Sequence, residues 1–138
     1  MKPGEIRYFR MSRAEREKLI KALKNALEGE EHVVFAILHG SFLSRELFRD
    51  VDVAVWLDDV KLSFYYTVDF SAKLEVELGV PVDIQVLNEA PLPFRYIVLS
   101  RGKVLFSRDE SLRLKLLDLA SREYFDLKQL REALQAQL

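Results

Sequence analysis

The hydrophobic positions of this chain change period repeatedly, and each change predicts an element. Ser12-Arg13-Ala14-Glu15 has the form of a capping box, and Leu19, Ile20, Leu23 and Leu27 follow at helical spacing before Gly29. A helix is therefore expected over 13–28. VVFAIL, 33–38, is a continuous apolar run of strand length, which suits a strand buried on both faces. Gly40-Ser41 ends it, and SFLSRELF then predicts two helical turns starting at Ser41. From Asp50 to Leu57 the pattern alternates. Asp50, Asp52, Ala54 and Trp56 share one face of a second strand, and Val51, Val53, Val55 and Leu57 share the other.

Residues 63–78 predict a helix with Phe64, Val68, Ser71, Leu74 and Leu78 along one side, ended by Gly79. In PVDIQVLN, Val82, Ile84 and Val86 face one way and Asp83, Gln85 and Leu87 the other, a third strand. A short helix over 91–100, a short strand over 103–106 and a long helix from Glu110 complete the chain. This order describes an α+β layer fold, a small mixed β-sheet with helices packed on it and a long C-terminal helix. No internal repeat, linker or low-complexity stretch divides it, so one domain is expected over 1–138, with its core at about 33–106.

Composition narrows the chemistry. The 138 residues carry 21 basic and 22 acidic side chains, a formal charge of −1, so neither direct DNA binding nor a membrane-surface role is expected. With no cysteine and two histidines, thiolate sites, disulfides and histidine-rich zinc sites are excluded or disfavoured, and a metal would need oxygen ligands. MKPGEIRYFRMSR lacks an apolar signal core, and no apolar run approaches the roughly 20 residues needed to cross a bilayer. The expected location is the cytoplasm.

The second strand poses a conflict, because two aspartates head an otherwise apolar segment. Residues two apart on a strand point the same way with Cα atoms about 6.5 Å apart, so Asp50 and Asp52 reach into one small volume. Such a pair repels unless one carboxyl is protonated or a divalent cation neutralises both. Magnesium takes the hard oxygen ligands that this chain offers. If the Asp83 strand is a neighbour, a third carboxylate joins them, and the site could hold two ions. Gly40-Ser41 supplies the complement: a strand-to-helix turn where glycine lets phosphate approach the backbone and serine can donate. Paired carboxylates beside a phosphate cradle are the parts of metal-assisted phosphoryl or nucleotidyl transfer.

Gly40-Ser41, eight intervening residues, Asp50-Val51-Asp52, and Asp83 in the following strand resemble the GS…DxD…D signature of the minimal nucleotidyltransferases of the DNA polymerase β-like superfamily. LNEAPLPFRYIVLSRGKVLF, after the third carboxylate, is also similar to that family, and the resemblance covers roughly 33–106. It implies a polymerase β-like nucleotidyltransferase fold, with Asp50, Asp52 and Asp83 as magnesium ligands and catalytic carboxylates. Gly40 and Ser41 would hold the triphosphate of ATP or another NTP, and Asp83 would help deprotonate the acceptor hydroxyl. The segment after Gly40-Ser41 is FLSRELFR, without the glycine common in the family, and Arg45 and Arg49 are its candidates for meeting phosphate. Small members of the family are commonly antitoxins paired with HEPN ribonuclease toxins, and some transfer AMP to a tyrosine of the toxin. The resemblance thus implies a HEPN toxin partner and a protein acceptor.

His39 and Trp56 read more simply as packed strand residues than as a base and a nucleobase platform. On the last helix Leu112, Leu116, Leu119, Ala120, Leu127, Leu130, Leu134 and Leu138 form a long apolar stripe. Its first half is expected to pack on the sheet, and 127–138 to form a partner or self-association surface. The competing function is a non-catalytic antitoxin, as the resemblance implies, or a protein-binding module, acting by steric complex formation.

Overall fold

The computed structural model describes residues 6–138, so residues 1–5 of the segment read for a leader lie outside the described residues. The chain forms β1 (Phe9–Arg10), α1 (Arg13–Glu28), β2 (Val33–His39), α2 (Ser41–Ser44), β3 (Leu47–Phe48) and β4 (Val51–Leu57). A 3-10 turn at Val60–Leu62 and a π-helical segment at Tyr65–Phe70 lead into α3 (Ser71–Leu78). Then come β5 (Val82–Val86), a 3-10 turn at Leu87–Glu89, α4 (Leu92–Arg101), β6 (Lys103–Ser107) and α5 (Glu110–Gln135).

The main sheet has the order β5-β4-β2-β6. β2 pairs antiparallel with β4 and β6, whereas β4 pairs parallel with β5. The unbroken apolar run of β2 is explained by this central place, because Phe35, Ala36, Ile37 and Leu38 are fully buried between helices on both faces. One face packs Val51, Val53, Val55, Val82 and Ile84 against Leu19, Leu23 and Leu27 of α1 and Leu74 of α3. The other packs Phe35, Ile37, Ala54 and Leu87 against Val98 and Leu99 of α4 and Ala120 of α5. Each buried Val, Leu, Ile or Phe among them contributes about 1.5–3 kcal/mol, so the sheet is anchored from both sides.

The Ser12 capping box forms as expected, with Ser12 Oγ accepting from the Glu15 amide and Glu15 accepting from the Ser12 amide. Two expectations change. The segment after Gly40 makes one turn of helix instead of two, because Arg45 is extended (φ −126°, ψ 154°) and Leu47–Phe48 pairs with Phe9–Arg10 as a small separate sheet. Burial of Phe48 against Phe42 and Phe9 outweighs the local helical preference. The expected stripe is buried at Ser71 and Leu74 but not at Phe64 and Val68, which are exposed while Tyr66 and Phe70 are buried in their place. The wide turns of the π-helical segment rotate the inner face relative to a regular α-helix.

α5 spans 26 residues, about 39 Å at 1.5 Å per residue. It packs on α4 and the sheet through Leu116, Leu117 and Ala120. Leu119, assigned to the apolar stripe, is half exposed, and Phe125, Leu130 and Leu134 stand out from the second half. Among the described residues no helix is long and apolar enough to cross a membrane.

Candidate active site

β2 delivers His39 to one end of the sheet, and Gly40 turns the chain there with φ 82° and ψ −162°. That conformation is disfavoured for residues with a Cβ. A Cβ at this position would also lie 2.3 Å from Asp52 Oδ2. Glycine is therefore required twice, once by the turn and once by the approach of backbone to carboxylate. Beyond the turn, the guanidinium of Arg16 on α1 gathers carbonyls of the following loop. It donates to the Phe42 carbonyl, to Arg45 O at 3.0 Å and to Glu46 O at 2.6 Å, and stacks over the Phe42 and Phe48 rings. Lysine could not reproduce this fork.

Asp52 lies opposite His39 on β2 and in register with Asp83 on the parallel neighbour β5. Paired strands run about 4.8 Å apart and aligned residues point to the same side, so Asp52 and Asp83 share a face. Asp50 immediately precedes β4, and the next residue is fixed by the Val51 amide, which donates to Pro81 O at 2.9 Å. The start of β5 is pinned from α3: Ser71 Oγ donates to Val82 O at 2.5 Å, and the Val82 amide donates to Glu75 Oε1 at 3.0 Å. Asn88 clasps Leu57 through its amide and carbonyl, both at 2.9 Å. The alignment of Asp83 with Asp52 is thus held at both ends of the β4–β5 pair.

Gln85 follows Asp83 on the same face. Its Nε2 donates to Asp52 Oδ1 at 3.2 Å and to Asp83 Oδ2 at 2.7 Å. Its Oε1 lies 2.8 Å from His39 Nε2, and Phe94 of α4 meets the His39 ring edge-on at 5.4 Å. Burial and then the charge of Asp50 push the Asp52 carboxyl above its ordinary range, while Gln85 and His39 act in the opposite sense. Among the described residues, no ion pair engages Asp50, Asp52 or Asp83. Negative charge is concentrated here, met by hydrogen bonds and by no paired cationic side chain among the described residues.

Among the described residues, no three His, Asp or Glu side chains form a ready-made cation cage. Magnesium does not require one, because it is ordinarily held by one or two carboxylates, with waters and substrate phosphates completing the shell. Hard oxygen donors, a partly buried carboxylate with a raised pKa and a side-chain-free backbone beside it fit that ion with a nucleotide.

The structure brings Gly40, Ser41, Asp50, Asp52 and Asp83 to one end of the sheet. Arg45 and Arg49 are exposed and make no ion pair or side-chain hydrogen bond among the described residues. His39 and Gln85 belong to the site, and their polarity on strand faces shared with the carboxylates was the available signal. Arg16 had none, since the loop carbonyls it gathers lie 26 to 30 residues away in sequence.

The family model described as polymerase beta, nucleotidyltransferase matches residues 21–111. No curated relative matches the chain. Among solved structures, a chain of the toxin–antitoxin MntA–HepT complex is 21% identical with a TM-score of 0.64, the match covering 91% of this chain and 97% of that one. A chain from the complex of tri-AMPylated Shewanella oneidensis HEPN toxin with MNT antitoxin is 24% identical, TM-score 0.64, covering 92% and 98%. A chain of a toxin–antitoxin structure with AMP-PNP is 21% identical, TM-score 0.66, also covering 92% and 98%. These likenesses establish the fold, and the family match spans the glycine turn, both strands of carboxylates and β6. On that match, the chain belongs to the polymerase beta nucleotidyltransferase family.

Proposed function

We propose that this nucleotidyltransferase moves AMP from ATP onto a hydroxyl of a partner protein, a HEPN ribonuclease toxin for which it is the antitoxin. The observation that carries the reading is the register of Asp52 with Asp83 beside Gly40, which gathers carboxylates where the backbone is open to phosphate. The tri-AMPylated HEPN toxin and the AMP-PNP of the structural neighbours support the choice of nucleotide and acceptor.

In this reading Asp50, Asp52 and Asp83 hold magnesium, which when bound offsets the charge of the triphosphate and of the departing pyrophosphate. Gly40 and Ser41 seat the triphosphate. The acceptor oxygen bonds to the α-phosphorus, the bond from that phosphorus to the bridging oxygen breaks, and pyrophosphate leaves with the electron pair. Asp83, the more exposed partner of the aligned pair, takes the hydroxyl proton. The test is transfer of label from α-labelled ATP to the co-purified toxin, with intact-mass analysis of the product. The proposal requires added AMP with the native chain and none with Asp52→Asn; equal labelling by both would reject it.

A second reading rests on one observation, the exposed apolar residues Phe125, Leu130 and Leu134 on α5. They provide a surface for a toxin or for a second copy of this chain, and cover alone could neutralise the toxin. Neutralisation by Asp52→Asn without nucleotide and without mass change would favour it.

A further inference from the structure

We propose that the Gln85 carboxamide is a latch that occupies the cation's place between Asp52 and Asp83 in the nucleotide-free protein and lets go when a divalent cation arrives. This rests on the nucleotidyltransferase reading of the site. Two carboxylates in register on neighbouring strands repel, and the charge of Asp83 adds to that of Asp50 at Asp52. The Gln85 Nε2 carries two hydrogens, and the geometry uses one for Asp52 Oδ1 at 3.2 Å and the other for Asp83 Oδ2 at 2.7 Å. Ionised carboxylates only accept, so the amide nitrogen must face them and the amide oxygen must face His39.

That orientation fixes the histidine. Gln85 Oε1 only accepts, so His39 Nε2 carries a proton and donates across 2.8 Å. His39 is itself placed by its strand position opposite Asp52 and by the edge-on contact with Phe94. Every donor of the carboxamide is matched, and a cation held by Asp52 and Asp83 would draw on the same two carboxylates. Cation and carboxamide therefore compete. Gln85 has the rotatable bonds to withdraw, whereas the strands that hold the aspartates cannot move independently of the sheet.

The competition has a definite sign. Gln85→Met keeps the length of the side chain but removes both donors, which strips away the competitor and leaves the two carboxylates repelling. Both effects favour cation entry. Manganese binding without nucleotide, followed by electron paramagnetic resonance, should tighten by about tenfold in Gln85→Met, the equivalent of losing one hydrogen bond to a charged group. Unchanged or weaker affinity would overturn the latch. In the native chain, adding magnesium with a non-hydrolysable ATP analogue should shift the His39 imidazole nitrogen signals, as Gln85 withdraws its acceptor. Signals that stay in place while the nucleotide binds would also overturn it, whether or not the variant folds. A native chain that binds manganese neither with nor without nucleotide would remove the nucleotidyltransferase reading and the latch together. One that binds manganese no more weakly than Gln85→Met removes only the latch.

Discussion

β2 and β4 carry a histidine and an aspartate to each end of the sheet, and the two ends use them differently. At the end away from Gly40, His32 Nδ1 meets Asp58 Oδ1 directly at 2.8 Å, and that hydrogen bond raises the His32 pKa. At the Gly40 end His39 faces Asp52 in register, but the carboxamide of Gln85 links them. The direct pair answers the charge of Asp58 from within the chain. The mediated arrangement leaves Asp52 raised by burial and by Asp50. Similar residue types thus make a closed structural contact at one end and an unanswered charge at the other.

The largest expected effect breaks this contrast outright. Asp52→Asn should lower AMP transfer by about a thousandfold, the scale associated with loss of electrostatic stabilisation at a reacting phosphate. Its melting temperature should be unchanged or higher, because repulsion from Asp50 is relieved. Asp58→Asn should leave transfer within about twofold, as expected of an exposed substitution away from the chemistry. Labelled-ATP transfer and thermal melts on both variants check the pair. A comparable loss of transfer from Asp58→Asn would show that the two ends are not functionally distinct.

Two glycines sharpen the comparison further, since Gly40 (φ 82°, ψ −162°) and Gly79 (φ 74°, ψ 15°) both have positive φ. A Cβ on Gly79 meets nothing within 4 Å, whereas one on Gly40 runs into Asp52. Gly79→Ala should cost about 1 kcal/mol of backbone strain and leave nucleotide binding untouched. Gly40→Ala should cost at least as much and also abolish nucleotide binding, measured by calorimetric titration with a non-hydrolysable ATP analogue. Intact binding by Gly40→Ala would separate the glycine turn from the phosphate site.

Arg16 tests whether the loop after that turn must be fixed. Arg16→Lys keeps charge but loses the forked contact to the carbonyls of Phe42, Arg45 and Glu46. Loss of one or two such bonds should raise the KM for ATP about fivefold, with a smaller change in kcat. An equal fall in kcat with no change in KM would place the role of Arg16 outside nucleotide seating.

The alternation of Asp50 to Leu57 and of PVDIQVLN made the strand faces legible, and with them the chance that three carboxylates share one end of a sheet. The unbroken VVFAIL run was likewise legible as a central strand, because burial on both faces leaves no polar position. Segments governed by distant contacts were not legible. SFLSRELF has helical spacing, but Arg16 takes its carbonyls and β1 pairs with Leu47–Phe48, contacts that local pattern does not encode. At Tyr65–Phe70 the period itself differs from that of an α-helix, so a template of 3.6 residues per turn selected Phe64 and Val68 in place of Tyr66 and Phe70. Gln85 shared a visible face with Asp83, yet its bond to His39 depends on the order β5-β4-β2, which the sequence did not state.

The smallest effect concerns the closed end. The His32 pKa is raised chiefly by the hydrogen bond to Asp58, opposed by burial and assisted by the charges of Asp58, Glu31 and Asp59. Protonated His32 is therefore favoured in the folded chain. Its stabilisation is fully present below the unfolded value of about 6.5 and is lost as pH rises through the higher folded value. Stability followed by chemical denaturation should decline across that interval in the native chain, and the decline should flatten in His32→Gln. Asp52→Asn should keep it, because the group responsible lies at the other end of the sheet. A decline that survives His32→Gln would assign the titration elsewhere and remove the electrostatic half of the comparison. Transfer activity in His32→Gln should follow the native profile throughout, since the Asp58 contact supplies structure without touching the carboxylates beside Gly40.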